Sequence, residues 1–71
     1  MEEAVFGKEI RRLTTAHLAE YRQLHRVTIL NPMLMLPEGI FADHPHVIIR
    51  AHGGSFAEFY AKKHGHPFEK L

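Results

Sequence analysis

The sequence predicts a mainly α-helical domain, with a small α+β fold as the alternative. Two observations favour helix: apolar residues recur at helical spacing through the first 30 residues, and a helix-capping pattern precedes residues 56–64. A third is that residues 46–51 are the one segment interpreted as a strand, with no convincing second strand to pair with it. The expected order is a long amphipathic N-terminal helix, an apolar irregular connector, one short extended segment and a short C-terminal helix.

The long helix is expected over residues 8–29. At about 100° per residue, one set of side chains falls within about 40° of a single line. Its members are Phe6, Ile10, Leu13, His17, Tyr21, Leu24 and Thr28. Asn31-Pro32 cannot easily continue a helix, so we expect it to end before that point.

Residues 31–46 form the connector, because proline and glycine recur in it. It is unusually apolar for a surface loop, so it either wraps over the first helix or is covered by another chain. We therefore predict that it carries a partner interface. The residues of that interface are Met33, Leu34, Met35, Leu36, Ile40 and Phe41.

The C-terminal half should contain one strand and one helix. Residues 46–51 are predicted as the extended segment, although no second strand is evident to pair with it. Ser55 and Glu58 match a capping box, so a helix should begin at Phe56 and end at His64, before Gly65. Its apolar face is expected to pack on the first helix, through contacts of Phe56, Phe59 and Tyr60 with Leu13, His17 and Leu24. We find no internal repeat in the sequence.

Length and composition restrict the function. The 71 residues suffice for a single small domain, 1–71, whose own core is marginal. The absence of cysteine excludes disulfides, thiolate metal sites and cysteine nucleophiles. The acidic N-terminus does not resemble a signal peptide, and no apolar run could span a bilayer, so a cytoplasmic location without membrane contact is expected.

Seven histidines are an unusual number for this length, and two His-x-His pairs occur among them. In an extended segment, residues two apart face the same side, so both rings of a pair could bind one ion. The candidate metal ligands are His44, His46, His64 and His66. With nitrogen and oxygen ligands only, the candidate metals are zinc, nickel, copper and iron.

Basic residues gather on the predicted first helix, opposite its apolar stripe, and could contact a phosphate backbone. They are Lys8, Arg11, Arg12, Arg22 and Arg26. Acidic residues lie among them and the net charge is only +1, so a solvated helix face is the favoured interpretation.

Taken together, these features favour a small non-catalytic interaction or regulatory protein. It would act as a homo-oligomer or as an accessory subunit of a larger complex. The alternatives are a histidine-based transition-metal-binding protein and a nucleic-acid-binding regulator. No catalytic residue is predicted, because a chain this small has little room for a substrate cavity.

Overall fold

The structure, a computed structural model, describes residues 2–71 and corrects the predicted fold class. Its centre is a four-stranded sheet in which all strands are parallel and lie side by side in chain order. The elements are β1 (Glu2–Phe6), α1 (Thr15–Leu18), β2 (Leu24–Ile29), β3 (Ile48–Ala51), α2 (Phe56–His64) and β4 (Phe68–Lys70).

A structural repeat underlies this order, although none is evident in the sequence. Ala4, Val27, Ile49 and Phe68 are successive partners across the sheet, so one strand returns about every 20 residues. Each connecting segment brings the chain back to the start of the next strand. The result is a short parallel solenoid, in which each coil contacts its neighbours.

The core lies between one face of the sheet and the connecting segments. Two rows of inward-facing strand residues run across the sheet: Ala4, Val27 and Ile49, and beside them Phe6, Ile29 and Ala51. The connecting segments cover these rows with their own buried side chains, which belong to the same apolar cluster. They include Leu13, Leu18, Leu34, Ile40, Phe41 and Tyr60.

The predicted helix over residues 8–29 is wrong. A four-residue helix, α1, forms within this range, and residues 24–29 are the strand β2. The apolar residues of this range fit helical spacing, but they do not form one face of a helix. Phe6, Leu13 and Leu24 are buried because each faces the core from its own coil of the solenoid. The β-branched run Val27-Thr28-Ile29 favours a strand, and Val27 and Ile29 alternate with the more exposed Thr28 as strand residues do.

The C-terminal predictions agree better with the structure. β3 lies within the predicted segment 46–51, but it has two strand neighbours where none was expected. α2 occupies the predicted residues, and the Ser55 hydroxyl accepts a hydrogen bond from the Glu58 amide at 3.1 Å. The Glu58 carboxylate accepts from the Gly54 amide at 2.7 Å, whereas the capping box predicted the amide of Ser55. Within residues 2–71 no helix is long and apolar enough to cross a bilayer.

Because Ile29 belongs to an inward row and Val5 does not, replacing each by alanine should change the stability of the protein by very different amounts. Ile29→Ala removes a fully buried side chain and should lower the free energy of unfolding by about 2–5 kcal/mol. Val5→Ala, at a position that is 66% exposed on the outer face, should change it by less than about 0.5 kcal/mol. Urea unfolding of both variants checks this, and equal losses would contradict the assigned faces of the sheet.

Candidate functional site

A shallow apolar groove lies between α2 and the segment that follows β2. Its volume is about 280 Å³. One wall is formed by residues 35–38 and the other by one face of α2. The lining residues are Met35, Leu36, Glu38, Phe56, Phe59, Tyr60, Lys63 and His64.

Residues 32–35, which lead into the wall at 35–38, are fixed by main-chain hydrogen bonds to both neighbouring coils. The Met35 amide donates to the Arg11 carbonyl and the Met35 carbonyl accepts from the Leu13 amide, both at 2.9 Å. On the other side, the Phe56 amide donates to the Pro32 carbonyl at 3.1 Å. This segment therefore presents its side chains from a backbone with little freedom.

Asn31 fixes the start of the segment that leads into this wall. Its side-chain amide donates to the Ile10 carbonyl at 3.0 Å, and its side-chain oxygen accepts from the Met33 amide at 2.9 Å. Leu34 then points inward and is fully buried, while Met33 and Met35 on either side of it point outward. The two exposed methionines thus follow from burial of the residue between them.

The wall formed by α2 follows from helical spacing. Phe56, Phe59 and Tyr60 share one face of the helix, as residues at i, i+3 and i+4 do. Tyr60 is buried, and its ring packs edge-on against Phe41 in the core. Phe59 is 69% exposed and Phe56 is 48% exposed. Met35, Leu36, Phe56 and Phe59, which all line the groove, form a largely exposed apolar surface, called here the apolar strip.

Charged residues close one end of the groove. Lys63 Nζ lies 2.9 Å from a Glu38 carboxylate oxygen, and His64 Nε2 lies 3.4 Å from the other. The hydrogen bond and charge of Lys63, with a smaller contribution from His64, lower the pKa of Glu38. The rim charges thus neutralise each other, and the groove offers mainly apolar contact.

The residues of the predicted partner interface are partly buried in the core and partly exposed to solvent. Leu34, Ile40 and Phe41 lie in the protein's own core and cannot contact a partner. Met33 and Met35 are exposed, and Leu36 is partly buried against the core. The connector therefore packs three of its large apolar side chains into the chain's own core, not over a long first helix, and a partner at Met33 and Met35 stays a prediction.

Sequence reasoning missed the contribution of α2 to this surface. Phe56 and Phe59 were expected to pack on a first helix, together with Tyr60, but that helix is absent and only Tyr60 is buried. The signal that could have found them is the spacing of the small residues in α2. Ala57, Tyr60 and Ala61 lie at i, i+3 and i+4 and form the buried face, which leaves Phe56 and Phe59 outside it.

The four predicted metal ligands do not form a metal site. Among residues 2–71 no group of three or more His, Asp or Glu side chains is placed to hold an ion. His44 is buried, and its Nδ1 accepts a long hydrogen bond, 3.4 Å, from the Leu24 amide, while His46 is exposed. His64 and His66 instead pack against the Tyr60 ring, with centroid distances of 4.2 and 5.9 Å. His64 and His66 therefore have a packing role, and the predicted four-histidine metal site is not assembled among these residues.

The predicted basic helix face is also absent. Lys8, Arg11 and Arg12 lie in the segment after β1, and Arg22 lies before β2. Arg26 is on the outer face of β2, where it forms ion pairs with Glu3 at 3.5 Å and with Glu69 at 3.2 Å. Because these residues belong to separate segments, no single helical stripe is available to follow a phosphate backbone.

No protein-family model matches the chain, and no curated protein or solved structure shows significant similarity to it. The geometry of the described residues therefore carries the functional proposal.

The partly buried ring of His66 predicts a pH-dependent contribution to stability. Burial, and secondarily the charge of His64, lower the pKa of His66, while the Val47 carbonyl opposes this shift. The unfolded chain takes up a proton near pH 6.5, the ordinary histidine value, more readily than the folded chain does. Stability from this site is therefore complete above about pH 6.5 and is lost as the pH falls through the folded-state pKa.

Urea unfolding of wild type and His66→Phe between pH 5 and 8 tests this. The phenylalanine keeps an aromatic ring beside Tyr60 and Phe41. Relative to wild type, the variant should gain stability as the pH falls. His46→Phe, at an exposed position, is the matched control. Parallel profiles for wild type and His66→Phe would contradict this assignment.

Proposed function

We propose that this chain is a non-catalytic protein-interaction module, an accessory part of a larger assembly, whose groove holds an apolar side chain of the partner. The observation that carries this proposal is the exposure of Phe59. It is a large aromatic ring, 69% exposed, on a capped helix and beside further exposed apolar side chains.

An exposed apolar cluster is costly in water. Each Å² of apolar surface removed from water contributes about 25 cal/mol, so the apolar strip gains free energy when a partner covers it. Isolated exposed apolar residues are common, but clusters with a charged rim are typical of interaction sites. Aromatic residues and methionine are also enriched at protein interfaces, where flexible thioether side chains adapt to the partner.

The size and rigidity of the groove favour a protein partner. Its 280 Å³ is at or below the lower end of pockets that enclose small molecules, which is about 300 Å³. A groove of this size accepts one or two side chains of a peptide segment. Both walls are fixed by hydrogen bonds, so binding should cost little ordering of the module itself.

The architecture supports the same role. Solenoids of stacked coils present extended surfaces that are commonly used for binding. Each coil of this chain resembles a leucine-rich repeat in architecture, because such a repeat also contains a strand and a helix or 3₁₀ helix within about 20–29 residues. This likeness is one of architecture, and the proposal depends on the apolar strip.

Selection from a displayed random-peptide library, followed by measurement of the dissociation constants of the enriched peptides, tests the proposal. We expect enrichment of peptides with an aromatic, leucine or methionine anchor. Phe59→Ser should weaken their binding by about tenfold or more, because it removes the exposed ring that the anchor covers. Phe59 is mostly exposed, so this variant should remain folded.

Lys62→Ser is the matched control for this experiment. Lys62 is also exposed on α2, pairs with Glu58 at 3.1 Å and does not line the groove. It should change the dissociation constants by less than about twofold. Equal losses in both variants, unchanged binding by Phe59→Ser, or no enrichment of anchored peptides would contradict the proposed function.

A further inference from the structure

The two edges of the parallel sheet differ in whether another strand could pair with them. An edge strand exposes unpaired main-chain groups, and proteins protect such edges with short strands, proline or inward-pointing charged residues. The β4 edge has all three. β4 has three residues and follows Pro67, and Lys70 pairs in register with Ala51, which places a charge at an inward position of the sheet.

The β1 edge lacks these protections. β1 has five residues, Glu2–Phe6, and contains neither proline nor lysine. Its register with β2 is continuous from Glu3 to Phe6, so it offers a regular backbone. Among residues 2–71, nothing pairs with its open side.

The direction of the main-chain groups identifies the residues available at this edge. The Glu2 amide donates to the Gln23 carbonyl and the Phe6 carbonyl accepts from the Leu30 amide, so both residues face β2. Main-chain groups of successive strand residues point alternately to opposite sides. The amides and carbonyls of Glu3 and Val5 therefore point to the open edge.

The acidic side chains of β1 also do little to prevent another strand from pairing with this edge. The Glu2 carboxylate accepts a hydrogen bond from the Gln23 amide at 2.7 Å. The Glu3 carboxylate is paired with Arg26. Both are engaged within their own chain, which reduces the repulsion they would exert on an approaching strand.

We propose that the β1 edge pairs with the β1 edge of a second copy of this chain, antiparallel, about a two-fold axis at Ala4. In this register Glu3 lies opposite Val5 of the partner subunit, and each such pair exchanges both main-chain hydrogen bonds. The two glutamates are not opposite each other, so like charges do not meet directly. At the centre, Ala4 lies opposite Ala4 of the partner subunit in a non-hydrogen-bonded pair. The two Cα atoms of such a pair are close together, so a small side chain fits there.

A second copy is favoured over other occupants by this self-complementarity. A head-to-tail stack, in which β4 of one copy meets β1 of the next, would place Lys70 at an inward position of the joined sheet. Only the β1–β1 arrangement uses unprotected edges on both sides and closes as a dimer. It involves neither α2 nor the apolar strip, so it is independent of the proposed peptide-binding role.

Sedimentation equilibrium from low concentration to about 1 mM tests the proposal, because an interface this small should be weak. The wild-type mass should rise from 8.2 kDa toward twice that value. Val5→Pro removes an amide that points to the open edge and leaves the β1–β2 hydrogen bonds intact, so it should stay monomeric with an unchanged circular dichroism spectrum. Val5→Thr, the matched control that keeps the amide, should dimerise as wild type does.

A second measurement covers the case in which Val5→Pro disturbs the fold. In the wild type, amide exchange at Glu3 and Val5 should slow at least about fivefold as dimer forms, while exchange at exposed amides of α2 stays constant. A wild-type monomer at 1 mM, a dimer that persists in folded Val5→Pro, or unchanged exchange at both amides would overturn the proposal. Loss of the dimer in Phe59→Ser would overturn it too, since the apolar strip would then be the self-contact.

Discussion

Burial of the inward rows of the parallel sheet is the constraint on which the rest of the structure depends. Each strand contributes only two or three inward residues, such as Val27 and Ile29 in β2, and a single coil cannot enclose them. Stacking of successive coils joins these residues into continuous rows. The connecting segments must then return across the same face of the sheet, which explains why they carry so many large apolar side chains.

The candidate binding surface is a consequence of this packing. The segment after β2 is tied to the coils on both sides, and Leu34 is drawn into the core. Met33, in the turn that precedes Leu34, and Met35, which follows it, are left in solvent. α2 packs its small residues Ala57 and Ala61 and the ring of Tyr60 on the sheet, which leaves Phe59 outside. The apolar strip is therefore built by the same contacts that stabilise the fold.

How much of this could be predicted from the sequence depended on whether the signal was local. α2 was predicted correctly because its cap, Ser55, and its terminator, Gly65, lie within a few residues of its ends. β2 was missed because Leu24 and Thr28 continue an apolar stripe at helical spacing, and this pattern outweighed the β-branched run Val27-Thr28-Ile29. The decisive feature was the pairing of Val27 with Ile49, and the sequence near either residue does not show which distant strand it pairs with.

The residues of the candidate site show the same difference between local signals and long-range contacts. The methionines of the connector were predicted as contact residues from their composition alone, and they remain candidates because they are exposed. Leu34, Ile40 and Phe41 could not be told apart from them, since the direction of each side chain depends on hydrogen bonds to other coils. The histidines were misinterpreted for a related reason, because His64 packs on Tyr60 one helical turn before it, and the turn after α2 brings His66 to the same ring.

The measurement that tests the parallel solenoid most directly is an NMR study of isotopically labelled protein. The account predicts strand-like chemical shifts over residues 24–29 and cross-strand contacts between the backbones of Val27 and Ile49, in parallel register. Helical shifts running without interruption from residue 8 to residue 29, with no contact between Val27 and Ile49, would contradict it.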